Sequence, residues 1–186
     1  MMMRLLKSFV RFLFRVSGWR IEGKVPHDLK KAVLVGAPHT SNWDLFYTLG
    51  LMFTLNLNFR FLIKDEALVF PIKSFMLALG AYPVKRSEPG QHYVDQIAKV
   101  FDETDECFLC IAPEGTRKPV KNWKTGFYHI AKKAKVPVMV GYLDCKLKKV
   151  HIGYVLDSNL NEEETMAALK SHLKKAVPKK PENFIL

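Results

Sequence analysis

Three short polar segments carry the residues able to do chemistry, and each follows an apolar run. The first is Pro38-His39-Thr40-Ser41-Asn42-Trp43-Asp44. If the chain enters a helix after His39, one turn returns the Asp44 carboxylate to the imidazole. That contact fixes the tautomer and leaves the other ring nitrogen as an acceptor. Imidazole, with an ordinary pKa of about 6.5, becomes a competent general base for a hydroxyl when an aspartate orients it. No Gly-x-Ser-x-Gly segment supplies a serine nucleophile, so the pair is expected to act on a substrate hydroxyl directly. The plainer reading is helix capping by Ser41 or Asn42 with local loop bonding. The second segment, Pro113-Glu114-Gly115-Thr116-Arg117-Lys118, combines a glycine suited to a tight turn, a hydroxyl and a guanidinium fork that suits phosphate. The third, Val84-Lys85-Arg86-Ser87, is also basic. Taken singly, each of these two reads equally well as a solvated turn.

The elements that must hold these segments alternate in type. Strands are expected at 31–37, 59–64, 81–85, 107–112 and 137–144, with a further, antiparallel strand at 149–156. Helices are expected at 42–55, 91–103, 126–134 and 161–176, and 68–79 reads as a helical or irregular apolar stretch containing Pro71. Strands alternating with helices argue for a single α/β domain with a mostly parallel central sheet flanked by helices. In such sheets ligands gather where strands end and helices begin, which is where all three polar segments fall.

The first 17 residues form a separate feature. Arg4, Lys7, Arg11 and Arg15 recur every three or four residues among Leu5, Leu6, Phe9, Phe12, Leu13 and Val16, and Ser17-Gly18 ends the pattern. The segment is too short and too charged to span a bilayer, which takes about 20 apolar residues. It reads as an amphipathic helix on a membrane surface, leaving residues 18–186 as the main domain; the alternatives are a helix packed on that domain with its basic side solvated, or a targeting segment. The chain carries 29 Lys+Arg against 18 Asp+Glu, a formal net charge of +11, which favours anionic partners. A nucleic-acid module is disfavoured by the lack of helix-turn-helix, RNP or zinc-finger patterns, so no nucleic-acid partner is expected. The cysteines are Cys107, Cys110 and Cys145. Their small, odd number and the absence of a secretory signal point to a reduced, cytoplasmic setting. The Cys107-x-x-Cys110 pair lies inside an expected buried strand and lacks a second ligand pair, so no metal is expected.

Taken together, HTSNWD (39–44), YPVKRS (82–87), PEGTR (113–117) and VPVMVGY (136–142) resemble, in order, the four motifs of the glycerol-3-phosphate and 1-acylglycerol-3-phosphate acyltransferases. The first matches the H-x-x-x-x-D signature and the third the E-G-T-R signature. The resemblance implies a short, bacterial-type enzyme that moves a fatty acyl group from acyl-CoA or acyl carrier protein to a lysophospholipid hydroxyl. It needs no cofactor beyond that co-substrate, and it implies work at the cytoplasmic face of the inner (cell) membrane, against an anionic membrane surface. His39 would be the general base and Asp44 its orienter. Arg86 and Arg117 would contact an acceptor phosphate, with Glu114, Gly115 and Thr116 completing the acceptor site. Lys64 would face the oxyanion, and Pro137 and Val138 would shape a wall or acyl channel. The apolar stretches 45–57 and 67–79 would wall an acyl groove, and read equally well as plain core. Phe9, Phe12, Phe14 and Trp19 would seat the protein in lipid. Two departures, Lys85 before Arg86 and Ala112-Pro113 before Glu114, bear on the acceptor's identity. A lyso-ornithine-type aminolipid or a glycolipid is the alternative acceptor, and a catalytically silent scaffold is disfavoured by the intact His39/Asp44 pair.

Overall fold

The computed structural model describes residues 2–84 and 91–186, so the expected contributions of Lys85, Arg86 and Ser87 lie outside the described residues. The central strands are β2 (Lys31–Ala37), β5 (Cys107–Ile111) and β6 (Val138–Asp144). Each is an almost unbroken apolar run, as strands covered on both faces require. Their side chains alternate between two cores: Val33, Leu109 and Val140 point to one, and Leu34, Phe108 and Met139 to the other. Cys107 and Cys110 therefore belong to opposite sides of β5, a geometry that keeps them from pairing.

With β1 (Arg20–Glu22), β3 (Phe59–Lys64), β4 (Ala81–Val84) and β7 (Lys149–Val155), the sheet has seven strands in the order β1-β7-β6-β2-β5-β3-β4. β2 to β6 run parallel. β7 is antiparallel to β6, as its alternating pattern led us to expect, and β1 pairs parallel to β7. β1 was not foreseen: three residues are too few for a recognisable alternation.

Right-handed crossovers send α2 (Trp43–Thr54) and α3 (Ile72–Ala78) to one face, where α1 (Met2–Val16) joins them. They send α4 (Gln91–Ala98) and α5 (Gly126–Ala134) to the other, where α6 (Glu162–Leu173) also packs. β2 and β5 are neighbours, yet α2 and α5 leave them toward opposite faces. Such divergence opens a crevice at the carboxyl ends of the two strands.

α1 is three-sided. Val10 and Phe14 enter the core, and Phe14 packs on Gly50 of α2 so closely that a Cβ there would overlap its ring. Roughly a third of a circumference away stand Arg4, Arg11 and Arg15, and a further third on is an exposed stripe of Leu5, Phe9, Phe12 and Val16. Phe14 and Trp19 thus depart from the lipid-facing expectation. Both are buried, and Trp19 stacks on Tyr47 at 4.0 Å between ring centroids. The residue-17 boundary is crossed by one continuous cluster that holds Val10, Phe14, Trp19 and Tyr47. Among the described residues no helix is long and apolar enough to cross a membrane.

Candidate active site

His39 leaves the carboxyl end of β2, two residues beyond Ala37. The loop turns at once into α2, and the Asp44 side chain folds back on it: Asp44 Oδ2 accepts the backbone N–H groups of Thr40 and Ser41 at 2.7 and 2.8 Å. The same oxygen stands 3.3 Å from His39 Nδ1. Asp44 is buried, while the imidazole is about a third exposed (35%). Capping falls to Ser41, whose Oγ accepts the Trp43 N–H at 3.0 Å, and not to Asn42. The local loop bonding and the His39–Asp44 contact thus occur in one arrangement, since the carboxylate that fixes the loop also faces the ring.

Glu114 joins this loop from the neighbouring strand. Its Oε1 accepts the His39 backbone N–H at 2.9 Å, linking the turn after β5 to the one after β2. Burial pushes the Glu114 carboxyl above its ordinary range, opposed by the N–H that it accepts from His39. One oxygen of each carboxylate, Asp44 Oδ1 and Glu114 Oε2, is buried without a hydrogen-bond partner among the described residues. Gly115 adopts φ +64, the left-handed conformation that glycine enters without strain.

These loops frame a cavity of about 1270 Å³. His39, Asp44, Pro113 and Gly115 line it at the carboxyl edge. One arm runs beneath α2 past Leu45, Thr48, Leu51 and Met52; the other passes α5 at Phe127 and Ile130 and reaches Tyr93 and Val94 of α4. The 45–57 stretch thus supplies wall as expected. Among the described residues none from 68 to 79 does, because α3 packs against the edge strand β4. Pro137 and Val138 fall at the amino end of β6, and it is Gly141, Tyr142 and Leu143 that reach the cavity.

The expected cations are less well gathered. Lys64 ends β3 with an exposed side chain, two strands from β2, which is about 10 Å in sheet spacing. Arg117 is exposed beyond the Glu114-Gly115 turn, and neither lines the cavity. Thr116 stays local, its Oγ1 accepting the Lys118 N–H at 3.2 Å. Two contributions escaped sequence reasoning. Lys124, just before α5, lines the cavity, and its backbone N–H donates to the Pro113 carbonyl at 2.8 Å. The C-terminal segment reaches back to the histidine loop, where Thr40 Oγ1 accepts the Lys180 N–H and the Thr40 carbonyl accepts Asn183 Nδ2, at 3.4 and 3.5 Å. A lysine ahead of a glycine that opens a helix was a visible signal for the first; nothing in the pattern signalled the second.

Burial pushes the thiols of Cys107 and Cys145 up to about 11 and that of Cys110 up to about 12. All three remain protonated near neutrality and are poor nucleophiles. Among the described residues no group of three His, Cys, Asp or Glu side chains is placed to hold a metal ion.

Comparison with curated proteins gives no match. A family model described as Acyltransferase matches residues 19–141, from the strand preceding β2 through most of β6. That span takes in both loops of the candidate site and about two thirds of the chain, and the protein therefore belongs to the acyltransferase family.

Proposed function

We propose that the protein transfers a fatty acyl group from acyl-CoA or acyl carrier protein to the hydroxyl of a lysophospholipid such as 1-acylglycerol-3-phosphate. The observation that carries this reading is the His39–Asp44 pair, held 3.3 Å apart at the mouth of a long, largely apolar cavity. With Nδ1–H turned toward Asp44, Nε2 is the acceptor that takes the proton as the substrate oxygen attacks the thioester carbonyl. A tetrahedral oxyanion forms; it collapses with cleavage of the C–S bond, and the departing sulfur takes the proton back from the imidazolium. The products are an ester and a free thiol. The 3.3 Å separation is long for a hydrogen bond, and such contacts commonly tighten when substrate fills the site. The arm beneath α2, walled by Leu45, Leu51 and Met52, suits an acyl chain by the ordinary preference of methylenes for apolar surroundings.

An anionic membrane surface is the proposed place of work. Leu5, Phe9, Phe12 and Val16 stand exposed beside Arg4, Arg11 and Arg15. On the same side of the sheet, around α3, Val69, Phe70, Ile72 and Phe75 are exposed as well, Phe70 to 94%. Apolar side chains flanked by cations suit the boundary between acyl chains and anionic headgroups.

The deciding experiment incubates purified protein with a labelled acyl-CoA and a panel of acceptors, followed by identification of the product. The panel holds a phosphorylated lysolipid, a lyso-ornithine lipid, a monoacylglycerol and a glycolipid. Ester formation on the phosphorylated lysolipid is expected. Preference for the ornithine lipid or glycolipid reassigns the acceptor, and absence of any acyl product overturns the reading.

A further inference from the structure

We propose that Lys124 binds the anionic phosphate of a substrate in this cavity, an inference that rests on the acyl-transfer reading above. Among the described residues, three lysines line the cavity: Lys124, Lys132 and Lys133. The last two are committed elsewhere. Lys132 Nζ donates to the Ser158 carbonyl at 2.7 Å and sits over the Tyr128 ring, and Lys133 pairs with Asp95 at 3.0 Å. Lys124 has no ion pair or side-chain hydrogen bond among the described residues.

Its position is nonetheless defined. The backbone N–H is tied to the Pro113 carbonyl, and the side-chain stem lies across Gly115. A Cβ at Gly115 would stand 3.2 Å from both Cδ and Cε and 3.4 Å from Nζ. The absence of a side chain at residue 115 is therefore what lets the ammonium lie against the turn that holds the His39 loop. Beyond it the cavity is open, since a Cβ at Gly126, the first residue of α5, meets nothing within 4 Å. An exposed lysine at the edge of this open space, its charge unneutralised among the described residues, is an electrostatic socket for a compact anion. Phosphate is the anion that both co-substrates can present. In the acceptor it is a headgroup monoester; in acyl-CoA it belongs to the nucleotide portion.

The test uses the full chain and inorganic phosphate as the probe, followed by phosphorus NMR titration. Lys124→Ala is expected to weaken binding by about tenfold or more, the loss typical of one charge-assisted contact, while Lys124→Arg stays within about threefold. Gly126→Ala places a methyl group in the open space, so it is expected to weaken binding while leaving the thermal midpoint unchanged or raised. Steady-state kinetics then separate the two sources. If the acceptor headgroup is the ligand, Lys124→Ala raises KM for the phosphorylated lysolipid but not for monoacylglycerol. If the nucleotide portion is the ligand, KM rises for acyl-CoA but not for an acyl-pantetheine thioester. Undetectable binding to the wild-type protein, or equal binding by Lys124→Ala, overturns the inference. Lys124-dependent phosphate binding without any acyl transfer would overturn the acyl-transfer reading instead and leave the phosphate site standing.

Discussion

The two loops at the carboxyl edge of neighbouring strands are built in opposite ways. The loop after β2 needs only five residues to pass from Ala37 to the first residue of α2. Its carboxylate is buried, and three groups converge on one oxygen of Asp44. The connection after β5 runs from Ala112 to Thr125, bonds to the first loop through the Glu114 side chain, and leaves Arg117 exposed. Chemistry that moves a proton needs groups fixed to within a fraction of an ångström, and the short loop provides that. Recognition of a charged, variable partner tolerates a longer, more open connection.

Substitutions in the short loop should have the largest effects. His39→Ala is expected to cut kcat by about 10²–10⁴, the ordinary worth of a general base, with the melting curve preserved because the ring is partly exposed; a folded variant with near wild-type turnover would end the assignment. Asp44→Ala should lose activity and, unlike His39→Ala, also stability, by about 2–4 kcal/mol, since two N–H groups lose a charged acceptor. Denaturant titration separates the two variants, and equal stabilities would mean that the Asp44 network is not what fixes the loop.

Glu114, the bridge between the loops, should show an intermediate effect. Glu114→Ala leaves the His39 N–H without its acceptor, at a cost of about 1–3 kcal/mol, whereas Glu114→Gln keeps an acceptor oxygen. The Glu114 carboxyl is raised by burial, so the folded state holds its proton more tightly than the unfolded state does. Stability contributed in this way is lost as pH rises from the unfolded value of about 4.3 through the raised folded value. Glu114→Gln should flatten that part of the stability–pH curve, and an unaltered slope would show that other groups produce it. The smallest effect is expected at the open end of the longer connection. Arg117→Ala should change KM for a phosphorylated acceptor by less than about threefold and stability by less than about 0.5 kcal/mol. A larger rise in KM would mean that the guanidinium folds inward when substrate binds.

Most of the sheet and one of the two loops were legible in the sequence. β2, β3 and α5 have the expected bounds, because β2 advertises itself as a buried apolar run, the half-buried β3 as a short run of Phe, Leu and Ile, and α5 as an amphipathic period. The expected 91–103 helix yields to a 3₁₀ turn after Ala98, and the 161–176 helix stops at Leu173 after an Asn161 capping box with Glu164. The His39–Asp44 contact was readable because it is local, spanning one turn. Lys124 and Asn183 were harder: what they touch is decided by how distant segments pass one another, and no spacing rule reports that. The same holds for Phe14 and Trp19, whose aromatic rings suit lipid and protein interior equally until Gly50 and Tyr47 are seen to receive them.

The placement of β2 also bears on how quickly the protein can reach its working form. Val33 pairs with Leu109 on one side and with Val138 on the other, so the strand that delivers His39 finds its neighbours only across long stretches of chain. Parallel pairings of such high sequence separation must close large loops before they are rewarded, and they form slowly. The His39–Asp44 turn can form early from nearby residues, but its bond to Glu114 and the cavity beneath it await the assembled centre of the sheet. Recovery of activity on refolding should therefore lag behind helix formation, making turnover a sensitive gauge of the last pairing step.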